Sequence, residues 1–487
     1  MLLNNLIELV GNYKKVNFDD VEVKGISYNS AFTKEGDIFI CIKGEMSDGH
    51  NYAKSAVEKG AVAIFCEKEL DINIPQIIVN DTKRMMANIA AKFYNEPSKE
   101  INLIGVTGTN GKTTVTHLLQ RIIEENHEKC ALIGTLGYKL SSDDEYKEAK
   151  HTTPQPPELQ RDLRLMSDEK IKNVVMEVSS HSLEQKRVGC CDFDGAVFTN
   201  LTQDHLDYHI TMRNYFNAKA ELFKNLKDGA FAVINADDEY SEDFISVVQK
   251  NVKLITYGVK KNADVQAKNI DFSVNGANLT VKFNSLEIKM NLQLNGMFSV
   301  YNALAAFSTA LAMGIDYKTI VSALEKTRSV AGRFEIVSKE PLVIVDYAHT
   351  PDGLENVLKA ARELTPSESK LICLFGCGGD RDTTKRPKMG KIADELSDKV
   401  VVTSDNPRSE DPQLIISDIM TGIRTVDTQR IFVEPDRGEA IKFLKTIATS
   451  KDVVVIAGKG HEDYQILKNE TIHFDDREEA RKVFVGV

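Results

Sequence analysis

Residues 108–113 read Gly-Thr-Asn-Gly-Lys-Thr and follow a β-rich run, Ile101 to Val106. From Thr113 the pattern turns helical, with Val115, Leu118, Leu119, Ile122 and Ile123 on one stripe. A strand, a glycine loop and a helix N-terminus make an anion cradle, because unpaired N–H groups and the helix dipole point at one spot. Gly108, Thr109, Asn110, Gly111 and Thr114 would line that cradle. Lys112 would bring a positive charge to the outer phosphates of a nucleoside triphosphate, and the Thr113 hydroxyl a ligand for Mg²⁺. The longer pattern G-x-x-x-x-G-K-[ST] needs glycine at 106, where Val106 stands, so the loop is the shorter G-x-x-G-K-T. A plain glycine turn is the bland alternative, and the strand and helix around it favour the phosphate site.

Other groups could complete such a site. Glu177 ends a second β-rich run, Asn173 to Val178, and an acid at a strand's C-terminal end beside a phosphate loop suits Mg²⁺. A solvated strand end reads equally well. After a third run, Gly195 to Thr199, come Asn200, Asp204, His205, Asp207 and His209, too many titratable groups for an ordinary turn. Lys219, in the helical stretch Met212 to Phe223, lies on an apolar stripe with Tyr215, Leu222 and Phe223. Either it snorkels from a core edge, or burial depresses its pKa and leaves a reactive free amine. Further on, Asn302 interrupts the apolar register of Ala303, Ala306, Phe307 and Ala310.

The elements that must position these groups alternate between strand and helix, so the expected class is α/β. With 487 residues the chain is long for one core, and three domains are expected, at 1–97, 98–332 and 333–487. The first has β-rich runs at 37–42, 62–66 and 76–79 with helical stretches at 51–59 and 82–94, and Pro97 marks a linker. Its polar patches, Tyr28-Asn29-Ser30 and Lys43 to His50, read as turns. The central domain carries the phosphate loop on a mainly parallel sheet, with alternation over 263–294 around Asn275-Gly276 that reads as a β-hairpin, and helices at 301–313 and 317–326. The third has strands at 342–345, 371–375, 400–403, 431–433 and 453–457, each followed by a helical pattern, and reads as a doubly wound, Rossmann-like sheet. Its strand ends carry Asp346 and His349, Asp380-Arg381, Asp405-Asn406-Pro407-Arg408, and Gly458 through Glu462. One such cluster could be a helix cap, but several at one sheet edge make a cleft.

Composition narrows the partners. A net charge of −11 argues against a bulk nucleic-acid binder. The first ten residues read as an amphipathic helix rather than a signal peptide, no apolar run approaches membrane-spanning length, and a cytoplasmic protein is expected. The seven cysteines are odd in number, and Cys190-Cys191 and Cys373/Cys377 read as buried thiols rather than metal ligands.

In order along the chain, TGTNGKTT (107–114), HTTP (151–154), EVSSH (177–181), DHLDYH (204–209), YNALAA (301–306), AGRFE (331–335), DYAHTPDGL (346–354), GCGGDRD (376–382), DNPRSEDP (405–412) and AGKGHEDYQ (457–465) resemble the Mur ligases over essentially the whole chain. The shorter phosphate loop is the form that family uses. The resemblance implies a monomeric ATP- and Mg²⁺-dependent amide ligase of peptidoglycan precursor synthesis. Its substrates would be UDP-N-acetylmuramoyl-L-alanyl-D-glutamate and, from the pattern DNPR, meso-diaminopimelate, with L-lysine or lanthionine as alternatives. It places Ser30 and the Lys43–His50 loop near the uridine end, and Thr152, Thr153, Ser179, Gln185 and Arg187 along the rest of that substrate. It places Asn302, Arg333, Asp346 and His349 at ATP, and Thr113, Glu177 and His205 at metal positions. Lys219 falls where the family carries a carbamylated lysine (N6-carboxylysine), an anion able to hold a second Mg²⁺. Arg381, Asp405, Asn406, Pro407, Arg408, Gly458 and Glu462 match amino-acid-binding positions, Arg408 holding the distal carboxylate. A surface ion pair of Arg408 with Glu410 or Asp411 is the bland alternative. A folylpolyglutamate-synthase-like ligase is a rival that HTTP and DNPRSEDP speak against. A P-loop regulatory switch would need no third-domain cleft.

Overall fold

Short apolar runs pair side by side into mainly parallel sheets, because each is followed by a helix that carries the chain back across a sheet face. The computed structural model describes residues 1–8, 11–44, 47–147, 151–273, 275–424 and 427–486. The first sheet runs Lys14–Val16, Gln76–Ile78, Ala63–Cys66, Asp37–Ile40, Gly25–Ser27, parallel except at the Lys14–Val16 edge. Leu3, Leu6 and Ile7 of the helix Leu3–Ile7 and Met85, Met86 and Ile89 of Thr82–Phe93 close its core. The expected N-terminal helix is thus shorter than the sequence pattern, whose residues 9 and 10 lie outside the described ones.

The central sheet has the order Leu286–Leu292, Gly276–Phe283, Val265–Ser273, Lys253–Gly258, Phe231–Asn235, Gly195–Phe198, Asn102–Thr107, Asn173–Glu177, Cys130–Gly134, Gly137–Lys139. Asn102–Thr107 lies at its middle between two parallel neighbours, with Val106 opposite Glu177 and Thr107 opposite Phe198. That register brings the phosphate loop, Glu177 and the segment from Thr199 to His209 to one edge. The expected hairpin is a three-stranded antiparallel meander: a second turn after Phe283, with Asn284 at φ 49°, returns Leu286–Leu292. Its inner face, including Leu279, Val281, Met290 and Leu292, packs on the helices Met297–Ala312 and Tyr317–Lys326. The first of these begins before the expected 301, and Phe298 in its opening turn packs on Phe334 of the next unit.

The last sheet runs Glu335–Lys339, Leu342–Asp346, Val453–Ala457, Leu371–Phe375, Lys399–Val402, Ile431–Val433. Only the Glu335–Lys339 edge is antiparallel. Because the last parallel strand in the chain inserts between the first two, the residues after Asp346, Ala457, Phe375 and Val402 gather at one carboxyl edge. All seven cysteines are free, Cys190 being half-buried and the others buried. Among the described residues no helix is long and apolar enough to cross a membrane.

Candidate active site

The phosphate loop depends on two glycines. Gly108 has φ 152°, and a Cβ there would lie 1.9 Å from Thr199 Oγ1; Gly111 has φ 88°, and a Cβ would lie 2.3 Å from Asn302 Oδ1. The close approach explains Asn302, the polar intruder in an apolar helix, which lies against the loop. The helix Lys112–Glu125 starts directly after Gly111 and buries Thr113 and Thr114 in its first turn. Lys112 Nζ donates to Gly108 O (2.9 Å) and Thr109 O (2.8 Å), and burial lowers its pKa. Thr109 Oγ1 donates to Thr202 O (3.1 Å), and the Asn110 N–H to Asn200 Oδ1 (2.9 Å).

Glu177 is buried and accepts from Thr113 Oγ1 (3.0 Å), the Thr135 N–H (3.0 Å) and Thr135 Oγ1 (3.1 Å). The solvated-strand-end reading of Glu177 therefore fails. Arg333, from the other side of the cleft, donates through Nη2 to Thr113 Oγ1 (3.0 Å) and lies 4.3 Å over the Tyr347 ring. Asp346 accepts from the Phe334 (2.7 Å) and Ala348 (2.8 Å) N–H groups, which fixes the turn that presents Arg333. Burial raises the Asp346 pKa. His349 meets the Tyr347 carbonyl through Nδ1 (2.9 Å), and burial holds it neutral, with its pKa lowered to about 4.

Lys219 does not snorkel. It is 1% exposed, its Nζ donates to Gly108 O (2.9 Å) and sits 4.7 Å over the Tyr215 ring. Burial and the Lys112 charge hold its amine well below the ordinary lysine pKa. Beside it, His205 is left-handed at φ 54° with Nε2 3.3 Å from Asp204 Oδ2. Burial lowers the pKa of His205 to about 4. For Asp204, burial opposes ionisation, but the charges of His205, Lys385 and His349 outweigh it and lower its pKa. His209 is held by Ser180 Oγ (2.9 Å) and Glu184 (3.2 Å), and Asp207 faces solvent. The oxygens of Glu177 and Thr113 suit Mg²⁺, a hard cation. Among the described residues no group of three His, Cys, Asp or Glu could hold a metal by itself.

The residues expected along the UDP-linked substrate form one network. Thr153 Oγ1 donates to Glu177 O (2.9 Å), Arg187 Nη1 to Thr153 O (3.0 Å), and Arg187 Nη2 to Gln185 Oε1 (2.7 Å). Ser179 Oγ lies 3.4 Å from Thr153 Oγ1, and Thr152 accepts from Thr135 Oγ1 (3.2 Å). In the first unit Tyr28 donates to Glu158 Oε1 (2.8 Å), which docks that unit beside this network, and Ser30 lies in the turn that follows. His50 is a fold anchor: Nε2 accepts from the Glu67 N–H (2.9 Å) and Nδ1 meets Asp48 Oδ1 (2.5 Å). Residues 45 and 46 of the Lys43–His50 loop lie outside the described ones.

At the carboxyl edge of the last sheet, Arg408 stands at φ 53° and donates through Nη1 to Gly379 O (2.8 Å). It does not form the surface pair with an acid: Glu410 is taken by Arg386 (2.8 Å), and Asp411 caps the helix Pro412–Met420. Pro407 precedes it, and Asn406 Nδ2 donates to Glu462 Oε2 (2.9 Å), which also accepts from Lys459 (3.1 Å). Burial and the neighbouring Asp405 raise the Glu462 pKa. Gly458 passes close to Asp405, and Arg381 is exposed with Nη1 on Asp380 O (2.8 Å). Sequence reasoning missed Thr135, Asp352, Lys385 and the buried pair Arg437–Asp476. Arg437 bonds Asp476 (2.7 Å), Ala457 O (2.9 Å) and Ser404 O (3.2 Å), tying the roots of the 405–408 and 458–462 loops. No spacing rule pairs residues so far apart.

Residues 22–94 match the Mur ligase family, catalytic domain, 106–310 the Mur ligase middle domain, and 332–460 the Mur ligase, glutamate ligase domain. The chain is 46% identical over 490 residues to the UDP-N-acetylmuramoyl-L-alanyl-D-glutamate--2,6-diaminopimelate ligase of Syntrophomonas wolfei, covering 99% of each. A solved structure of a ligase of the same name is 36% identical, covers 95% of both chains and superposes with a TM-score of 0.67. Folylpolyglutamate synthase of Mycobacterium tuberculosis, at 16% identity, 82% and 95% coverage and a TM-score of 0.65, shares the fold.

Proposed function

Because the chain belongs to the Mur ligase family, we propose that it joins meso-diaminopimelate to UDP-N-acetylmuramoyl-L-alanyl-D-glutamate at the expense of ATP, in peptidoglycan precursor synthesis. The observation that supports this reading is Arg333 reaching Thr113 across the cleft (3.0 Å), which ties the start of the third unit to the phosphate loop. The full-length identity to a ligase of that name supports the choice of substrates. The domains are taken as 1–97, 98–332 and 333–487, the protein as a cytoplasmic monomer without nucleic-acid or membrane partners.

The terminal carboxylate of the UDP-dipeptide is a poor acyl donor. One of its oxygens bonds to the γ-phosphorus as the bond to the β,γ-bridging oxygen breaks, giving an acyl phosphate and ADP. The amine of the amino acid then attacks the carbonyl carbon, the bond to phosphate breaks, phosphate leaves, and the nitrogen loses a proton. Anions meet in the first step, and negative charge builds on the carbonyl oxygen and the departing phosphate in the second, so cations must be placed in advance. Lys112, freed from its own loop carbonyls by an incoming phosphate, supplies one and Arg333 another. Glu177 and Thr113 would hold Mg²⁺, which when bound neutralises charge on the phosphates. Burial shifts Lys219 toward the neutral amine, the form that adds CO₂, and its carbamate together with His205 would serve a second ion. Thr152, Thr153, Ser179, Gln185 and Arg187 orient the UDP-dipeptide, and Asn302 and His349 border ATP. Arg381, Asp405, Asn406, Arg408, Gly458 and Glu462 receive the diamino acid.

Arg408 decides between diaminopimelate and lysine, which differ by the distal carboxylate that its planar fork can hold. A charge-assisted bond in a closed cleft is worth about 1.5–3 kcal/mol. Arg408→Ala should therefore lower kcat/KM for diaminopimelate roughly ten- to a hundredfold, with the constants for ATP and the UDP-dipeptide kept and lysine use affected much less. Phosphate release with each amino acid measures this; a wild type that prefers lysine, or an Arg408→Ala enzyme indifferent to the change, defeats the specificity reading.

A further inference from the structure

Asp380 and Arg408 both stand in the left-handed region at φ 53°, the first in the loop after Leu371–Phe375, the second in the loop after Lys399–Val402. Neither is glycine, so each conformation is costly and persists only where the surroundings over-determine it. What holds them is a clasp between the two loops. Ser409 donates to the Asp380 carboxylate twice, through Oγ to Oδ1 (2.7 Å) and through its N–H to Oδ2 (3.2 Å). These two bonds lower the pKa of Asp380. In return the Asp380 N–H donates to Glu410 Oε1, and both oxygens of Glu410 accept from Arg386 Nη2 (2.8 and 2.9 Å). Arg386 is buried and anchors the clasp, its Nη1 donating to Asp418 Oδ2 (2.9 Å). The Gly379 N–H donates to Asn406 O (2.9 Å), and a Cβ on Gly379 would lie 2.0 Å from Pro407 O, so the loops touch.

The clasp has an arginine on either side. Arg381 follows Asp380 in the chain, and Arg408 precedes Ser409. Their guanidinium groups meet consecutive carbonyls, Arg381 Nη1 donating to Asp380 O (2.8 Å) and Arg408 Nη1 to Gly379 O (2.8 Å). Among the described residues neither arginine has an ion-pair partner within 4.0 Å. The acids of these two segments are engaged elsewhere, Asp380 by Ser409, Glu410 by Arg386, and Asp411 as a helix cap. Two cations held side by side repel each other, so a frame that fixes them there without an acid between them is set in advance for an anion from outside.

We propose that Asp380, through its clasp on Ser409, is a positioning residue for recognition of the diacid: it holds Arg381 and Arg408 in register before the amino acid arrives. Preference for a substrate with a second carboxylate then depends on a residue that acts only through the arginines. Glu410 and Arg386 support it by fixing the Asp380 backbone from behind.

The proposal rests on the ligase reading, in which both arginines receive the diamino acid. An inactive wild type refutes that reading; an active wild type that prefers diaminopimelate, with a KM indifferent to Asp380→Gly, refutes the role of Asp380 alone. Asp380→Gly is the main variant, because glycine accepts φ 53° without strain and removes only the carboxylate. Asp380→Asn, which keeps an acceptor for Ser409, is the conservative control. Phosphate release is measured with diaminopimelate and with lysine, and Tm is recorded for each variant. For Asp380→Gly we expect KM for diaminopimelate to rise about tenfold, with kcat, Tm, lysine use and the constants for ATP and the UDP-dipeptide nearly unchanged. Asp380→Asn should recover most of the loss. A double-mutant cycle supplies the decisive reading: if Asp380 acts through Arg408, Asp380→Gly should add less than about twofold to the effect of Arg408→Ala. Additive losses in the double variant overturn the proposal. So does an Asp380→Asn enzyme as weak as Asp380→Gly, since the aspartate would then act by its charge. A lowered Tm with losses shared by lysine, ATP and the UDP-dipeptide also overturns it, because the clasp would then serve the fold and not the choice of substrate.

Discussion

Lys219 shows how much a single residue's surroundings decide. Its place on an apolar stripe favoured snorkelling over a depressed pKa, because periodicity says which face a residue occupies and nothing about how deep that face lies. In the fold the amine is shut behind Tyr215 and the Gly108 carbonyl, so its neutral form is favoured. If the neutral amine is carried on to a carbamate, Lys219→Ala should be nearly inactive and regain part of its turnover with formate or acetate, which can occupy the vacated position. Lys219→Arg should be inactive and unrescued. Retained activity in Lys219→Arg, measured by phosphate release, would mean that a plain cation suffices there.

Among the elements, the strand–loop–helix from Asn102 to Glu125 was legible because its apolar alternation, glycines and helical stripe all agree. The five parallel strands of the last sheet were legible for the same reason, but its antiparallel edge, Glu335–Lys339, was not. The meander beyond Asn275 was only half legible: Asn275-Gly276 announces one turn, but the turn at Asn284 carries no glycine. Thr135, which shares Glu177 with Thr113, sits in a polar turn with no motif to mark it. The loop also makes a prediction at this scale. Gly111→Ala would put an L-residue at φ 88° against Asn302, a strain of about 1–3 kcal/mol. The variant should fold, with KM for ATP raised roughly tenfold or more and KM for the amino acid little changed; an unaltered KM for ATP would show that the loop geometry tolerates a side chain.

For the whole molecule, the contacts that sequence could not reveal are those between units. Asn110 Nδ2 donates to Asp352 Oδ2 (2.8 Å), Arg333 reaches Thr113, and Gln203 meets Thr384. These partners lie in separate motifs, and no local pattern pairs them. The same convergence buries imidazoles. His117, His181, His205, His209 and His349 all have pKa values lowered to about 4 by burial, and His461 to about 2. The unfolded chain binds protons on these rings near pH 6.5, where the folded chain does not. Stability should therefore be held above that pH and be lost progressively as pH falls from about 6.5 towards 4. A Tm that stays level from pH 7 to 4.5 would contradict this burial. The pair Arg437–Asp476, with both side chains 0% exposed, has a consequence for anyone who would make this protein hardier. Breaking one member should cost about 3–5 kcal/mol, whereas replacing both by apolar residues of similar volume is often neutral or stabilising. A redesign guided by melting temperature alone would thus be drawn to Arg437→Met with Asp476→Leu. The Ser404 and Ala457 carbonyls would then lose their common donor, and the loops they precede would drift apart. The expected product is a heat-resistant protein with a raised KM for its amino acid, robustness gained by blunting discrimination.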